Sequence, residues 1–233
     1  MAVYDIYGNA VESGSSAASG AKRIDTRTIC HQGYHANAEA NTRSAFVDAY
    51  RNGFSVVETD IQMTSDSVMV ISHDAVSVTF EEWKTSDERL TFAEFLDLMK
   101  YLNMEFYLDG KTGMGSHKET IYAEVVKRGL LDKATFTGTL SGMHTVDANA
   151  RCASLIGNLG SDLSGYREGQ VLYCNYVNVT AEEAQNAIDN GFTLEVYTLS
   201  TAGNLLNFVS RVPQASRFCT DNISVDSVFV NNA

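Results

Sequence analysis

Apolar positions along this chain fall into short runs, each followed by a stretch in which they recur every three or four residues. Short runs read as buried strands and the longer period as amphipathic helices. The first strand is expected at 28–30. Asn41 and Thr42 then cap a helical stretch with Ala45, Phe46, Ala49 and Tyr50 on one face, which stops at Asn52-Gly53. A second strand is expected over 55–63, continued as a hairpin by 68–71. Thr91, with Glu94 three residues on, forms a capping box, and Phe92, Phe95, Leu96 and Met99 make the apolar face behind it. Further strands are expected at 104–108, 134–136, 153–156, 171–176, 193–198 and 217–220. Helices are expected over 118–128, ended by Gly129, over 141–150, and over 180–190, where Thr180 and Glu183 form a second capping box and Gly191 is the stop.

About eight strand–helix steps of this kind imply a parallel sheet covered by helices. The chain has 233 residues, which suits a compact (β/α)8 TIM barrel. An open, doubly wound sheet is the alternative. Residues 11–22 are small and polar and read as a linker, with a short docking element at 4–8. The organisation expected is therefore a flexible arm over 1–26 and a barrel over 27–233.

Composition narrows the function. Net charge is −12, so duplex nucleic acid and anionic membrane are repelled on average. A phosphate-bearing substrate must then be drawn by a local positive focus. No apolar run is long enough to span a membrane. The N-terminus has neither a basic region nor an apolar core of signal type, so a cytoplasmic setting is expected. Attachment through the arm to a larger assembly, such as a virion or a cell surface, is a further expectation. Cys30, Cys152, Cys174 and Cys219 lie in strand-like runs without metal-ligand spacing, so free buried thiols are expected.

The chemistry gathers at strand ends. Glu58 and Asp60 are two residues apart and project to one side of a strand, as needed to share a cation. Asp109 ends the next apolar strand and adds a third carboxylate. Hard oxygen ligands favour Mg²⁺ or Ca²⁺. Lys111, again two residues on, balances the negative charge and can hold a phosphate oxygen. His31 and His73 each follow a strand, and two histidines can serve as base and acid in an in-line displacement. His35, His117 and His144 lack that placement and read as surface or loop residues. The glycine-rich stretch 112–116 reads as a loop.

In order along the chain stand His31-Gln32-Gly33, Glu39-Ala40-Asn41-Thr42, Glu58-Thr59-Asp60, Thr64-Ser65-Asp66-Ser67, His73-Asp74, Asp109-Gly110-Lys111, Tyr197-Thr198 and Thr220-Asp221. This series resembles the glycerophosphodiester phosphodiesterase family, with its HRG, PENT, ExD, TxDG, HD, ExK, WT and TD signatures. The resemblance implies a (β/α)8 barrel, one divalent cation and hydrolysis of a small phosphodiester, with a place in lipid metabolism. Carried over by position, Glu58, Asp60 and Asp109 would ligate the cation. His31 and His73 would be the acid–base pair, with His31 as base and His73 as acid. Lys111 would bind phosphate, with Gln32 and Tyr197 at further substrate positions. Gln32 stands where the family has arginine, and losing a charged contact of that kind costs about 1.5–3 kcal/mol. Asp109 is shorter than the family's glutamate. The stretch between His73 and Thr91 is shorter than the family's insertion. The missing arginine also resembles the related sphingomyelinase D-type phospholipases, which form cyclic phosphates. A binding module on a decayed barrel is the non-enzymatic alternative.

Overall fold

The computed structural model describes residues 25–223, preceded by two short strands, Val3–Tyr4 (β1) and Ala10–Val11 (β2), which pair antiparallel. Residues 25 and 26 of the arm expected over 1–26 begin the barrel; apart from β1 and β2, the rest of that arm, including residues 12–22 of its linker, and the tail 224–233 lie outside the described residues.

Eight parallel strands follow: Asp25–Cys30 (β3), Phe54–Met63 (β4), Glu105–Gly110 (β6), Ala134–Gly138 (β7), Arg151–Ile156 (β8), Val171–Asn175 (β9), Thr193–Leu199 (β10) and Arg217–Thr220 (β11). Each pairs with its successor, and β11 pairs with β3, which closes the sheet into a (β/α)8 TIM barrel. Strand β4 overruns the barrel. Its last residues pair antiparallel with Met69–Ile71 (β5), the expected hairpin.

Period-two alternation sorts the strand residues between two environments. Phe106, Leu108 and Phe136 face outward and pack under helices with Phe46, Phe95, Leu96 and Met99. Leu172, Val196 and Phe218 do the same with Leu205 and Phe208 on the other side. Inside the barrel lie Ile29, Val56, Tyr107, Ala153, Tyr173 and Cys219. All four cysteines are buried, and none forms a disulfide.

The helices are Arg43–Arg51 (α1), Phe80–Trp83 (α2), Phe92–Leu102 (α3), Lys118–Lys127 (α4), Ala181–Asp189 (α5) and Ala202–Arg211 (α6). Both expected capping boxes form, and a third, Thr79 with Glu82, opens α2. Tyr50, expected on the apolar face of α1, is 52 % exposed, while Ala45, Phe46 and Ala49 are buried. The helix expected over 141–150 does not form. One 3-10 turn, Met143–Thr145, takes its place. Asp147 accepts from the Asn149 backbone and from Tyr122, and an aspartate bonded this way holds a turn rather than a helix. The connection 157–170 also lacks a helix, and Leu159 and Leu163 cover the barrel there instead. No helix among the described residues is long and apolar enough to cross a membrane.

Candidate active site

Strand register brings the predicted carboxylates together. Asp60 pairs with Asp109 across β4 and β6, and Asp109 pairs with Thr137 across β6 and β7. Paired residues on neighbouring parallel strands point to the same side, so these three share one layer at the C-terminal mouth of the barrel. Glu58, two residues before Asp60, joins them. Carboxylate oxygens of Glu58, Asp60 and Asp109 lie within 4.8 Å of one another, and all three residues are buried. Ligand distances to a hard cation are about 2.0–2.6 Å. Two oxygens on one ion can therefore be up to about 5 Å apart, and this triad fits a single ion.

The triad already attracts positive charge. Lys111 Nζ lies 2.6 Å from Asp60 Oδ1 and 2.6 Å from Asp109 Oδ2. Asp60 Oδ2 accepts from Gln32 Nε2 and from Asn41 Nδ2, each at 2.7 Å. The Asn41 carbonyl oxygen accepts from the Thr59 hydroxyl at 2.8 Å, which orients the amide. Gln32 adopts a left-handed backbone, φ 53°, and this turns its N–H onto Glu58 Oε2 at 3.2 Å. Non-glycine residues held in that region cluster at functional sites. Asp109 is set from its other side by Gly138. A Cβ added there would lie 1.9 Å from Asp109 Oδ1, and the backbone φ is +61°.

The two histidines have different surroundings. His31 follows β3 and donates from Nδ1 to Asp221 Oδ1 at 2.7 Å, while its Nε2 lies 3.8 Å from Glu58 Oε2. Asp221 also accepts from the Ser200 hydroxyl at 2.6 Å. Burial lowers the His31 pKa, but the Asp221 bond and the charges of Glu58, Asp221 and Asp60 outweigh it and lift the value to about 9. Burial raises the Asp221 carboxyl, but the bonds from His31 and Ser200 hold it below its ordinary range. Burial and the Asp60 charge push the Glu58 carboxyl well above the usual carboxylate range, against the pull of His31 and Lys111. Burial disfavours the Lys111 ammonium, yet Asp60 and Asp109 keep it firmly protonated. The His73 side chain, after β5, is 61 % exposed; its ring bonds Asp74 at 3.1 Å, and its backbone carbonyl accepts from Gln62 Nε2 at 3.4 Å.

His31, Glu58, Asp60, His73, Asp109 and Lys111 line one cavity of about 300 Å³, with Thr137, Leu155, Tyr173, Tyr197 and Thr198 forming its remaining wall. The Tyr197 hydroxyl bonds the Ile156 carbonyl at 3.3 Å, so its ring faces the cavity and its hydroxyl is engaged elsewhere. The Gln32 amide is engaged with Asp60. His35, His117 and His144 lie away from this wall. A second cavity shares His73 and runs past Glu39 and Trp83, and a third shares Asp109, Lys111 and Leu155.

Three residues of the site make contacts that sequence reasoning did not assign: Asn41, Gly138 and Asp221. The sequence marks Asn41 as a helix cap and Asp221 only as half of a motif. Strand pairing was the missing information in each case, because their partners lie 18 to 190 residues away.

The model of the Glycerophosphoryl diester phosphodiesterase family matches residues 31–156. An uncharacterized protein of Mycoplasma genitalium is 30% identical over 140 residues, which cover 47% of this chain and 57% of that protein, so the match spans little more than half of the relative's length. Among solved structures, a glycerophosphodiester phosphodiesterase from Parabacteroides distasonis matches with TM-score 0.74 and 17% identity, covering 91% of this chain and 100% of that one. An Oleispira antarctica phosphodiesterase in complex with the product sn-glycerol-3-phosphate matches with TM-score 0.72 and 15% identity, covering 88% and 96%. The enzyme from Thermotoga maritima matches with TM-score 0.67 and 19% identity, covering 89% and 98%.

Proposed function

Since this chain belongs to the glycerophosphoryl diester phosphodiesterase family, we propose that it is a phosphoric diester hydrolase acting on small glycerophosphodiester-type substrates with the help of one divalent cation. The observation that carries this reading is the buried Glu58–Asp60–Asp109 triad opening into a cavity that His31 and His73 also line. Glu58, Asp60 and Asp109 would hold the cation, and their all-oxygen donor set favours Mg²⁺ or Ca²⁺. When bound, such an ion supplies charge stabilisation to the phosphoryl oxygens in the transition state.

The chain's own side chains do the rest. Asp221 fixes the His31 ring through Nδ1 and leaves Nε2 toward the cavity; with the charges of Glu58 and Asp60 committed to a cation, the ring would lose part of the pull that keeps it protonated, and Nε2 could then take a proton from the attacking hydroxyl. His73 is exposed and stands on the wall shared with the neighbouring cavity, a position suited to protonating a departing alkoxide. Lys111 stays charged and is placed to balance the phosphate. Gln32 cannot give the phosphate a guanidinium-type contact, and its amide instead steadies Asp60. The cavities on either side of the site give room for the two alcohol groups that distinguish a diester from a monoester.

The test is hydrolysis of glycerophosphocholine and bis(p-nitrophenyl) phosphate with and without EDTA. Wild-type turnover should vanish with EDTA. His31→Ala and Asp221→Asn should each lower kcat by about 10²-fold or more, the scale of general acid–base catalysis. Turnover that survives both EDTA and His31→Ala would end this assignment.

A further inference from the structure

Thr137 carries a buried polar atom that the fold does not use. Its Oγ1 is the one buried side-chain nitrogen or oxygen among the described residues without a hydrogen-bond partner. Burying a hydroxyl without a partner is unfavourable, so such atoms call for an explanation. The residue has no solvent-accessible surface of its own, so the groups nearest its hydroxyl are the side chains of its own layer. Its eventual partner is therefore a neighbouring side chain that moves.

The neighbour is Asp109. The two residues pair directly across β6 and β7 and belong to one layer of the same cavity wall. Asp109 Oδ2 is now held by the Lys111 ammonium at 2.6 Å, which also holds Asp60. A divalent cation on Glu58, Asp60 and Asp109 would repel that ammonium, and Asp109 would lose its only side-chain donor. Carboxylates that ligate metals are themselves hydrogen-bonded, and such partners orient them. Thr137 is the free donor beside it.

We propose that Thr137 is a positioning residue for Asp109, whose carboxylate its hydroxyl holds once a divalent cation has displaced Lys111. This rests on the cation site proposed above.

The test is calorimetric titration of the full chain with Mg²⁺ or Mn²⁺, together with thermal melts in EDTA. Thr137→Val keeps the side-chain shape and removes the hydroxyl. It should melt in EDTA at or above the wild-type temperature, because the hydroxyl has no partner in the cation-free protein. Its cation affinity should fall by about 10–100-fold, the usual effect of removing a ligand's hydrogen-bond partner. Thr137→Ser should restore affinity to within about threefold of wild type. Wild-type affinity in Thr137→Val would overturn the proposal and leave the proposed function standing. A marked drop in its melting temperature in EDTA would also overturn it, by showing that the hydroxyl already has a protein partner. Failure of the wild type to bind either cation would instead refute the cation site itself.

Discussion

Replacing Gly138 with alanine tests how tightly the third carboxylate is placed. The new Cβ would lie 1.9 Å from Asp109 Oδ1 and 2.7 Å from the Gly110 carbonyl oxygen, where ordinary contact begins at 3.4 Å. Either the carboxylate moves by roughly 1.5 Å or the ends of β6 and β7 part. A left-handed backbone with a Cβ adds about 1–2 kcal/mol on its own. The two effects separate with Gly129→Ala, where φ is +69° and nothing lies within 4 Å of the added atom. That control should lose stability by about 1–2 kcal/mol in urea melts and keep its cation affinity. Gly138→Ala should lose at least as much stability. Its cation affinity should also fall at least tenfold, about 1.4 kcal/mol, because metal sites tolerate ligand errors of only about 0.2 Å. Calorimetric titration with Mg²⁺ measures the difference. If Gly138→Ala binds Mg²⁺ within twofold of wild type, then Asp109 is not a ligand, or is free to move, and the packing argument fails.

Two further outcomes follow from the site and the barrel floor. The Glu58 pKa is raised in the cation-free protein by burial and by Asp60. Its contribution to stability is therefore present at low pH and lost as pH rises through the folded value, while a cation must displace the proton. Cation affinity should rise with pH and binding should release protons, which titration in buffers of different ionisation enthalpy will measure. An affinity that does not change with pH and no proton release would contradict this. At the opposite end of the barrel, buried Glu195 accepts from the Tyr107 hydroxyl at 2.6 Å and from Arg151 at 2.8 Å. Glu195→Ala should cost about 3 kcal/mol of stability, read by urea unfolding, and should leave kcat and KM unchanged. A fall in kcat without a stability change would move this network into the catalytic machinery.

The barrel was largely legible in the sequence because its strands announce themselves locally. Runs such as that before Glu58 are buried on both faces and read as continuous apolar segments, and capping boxes at Thr91 and Thr180 mark helix starts within four residues. The expected helix over 141–150 failed for the opposite reason. Its apolar spacing suited a helix, but a turn built on Asp147 satisfies the backbone better. The resemblance put Glu58, Asp60, Asp109, His31 and His73 at the site, and register then brought them around one cavity.

An inventory can be read from the chain alone: eight strands, the carboxylates and histidines at their ends, and a charge balance that forces any phosphate recognition to be local. The contacts between those residues follow from the folded arrangement. Gln32 steadies Asp60, Asn41 bridges Thr59 and Asp60, Asp221 orients His31, and Gly138 sets Asp109. These pairings depend on strand register and barrel closure, which join residues distant along the chain. Local periodicity carries no record of that distance, so the candidate ligands could be named from the sequence while the residues that hold them in place could not.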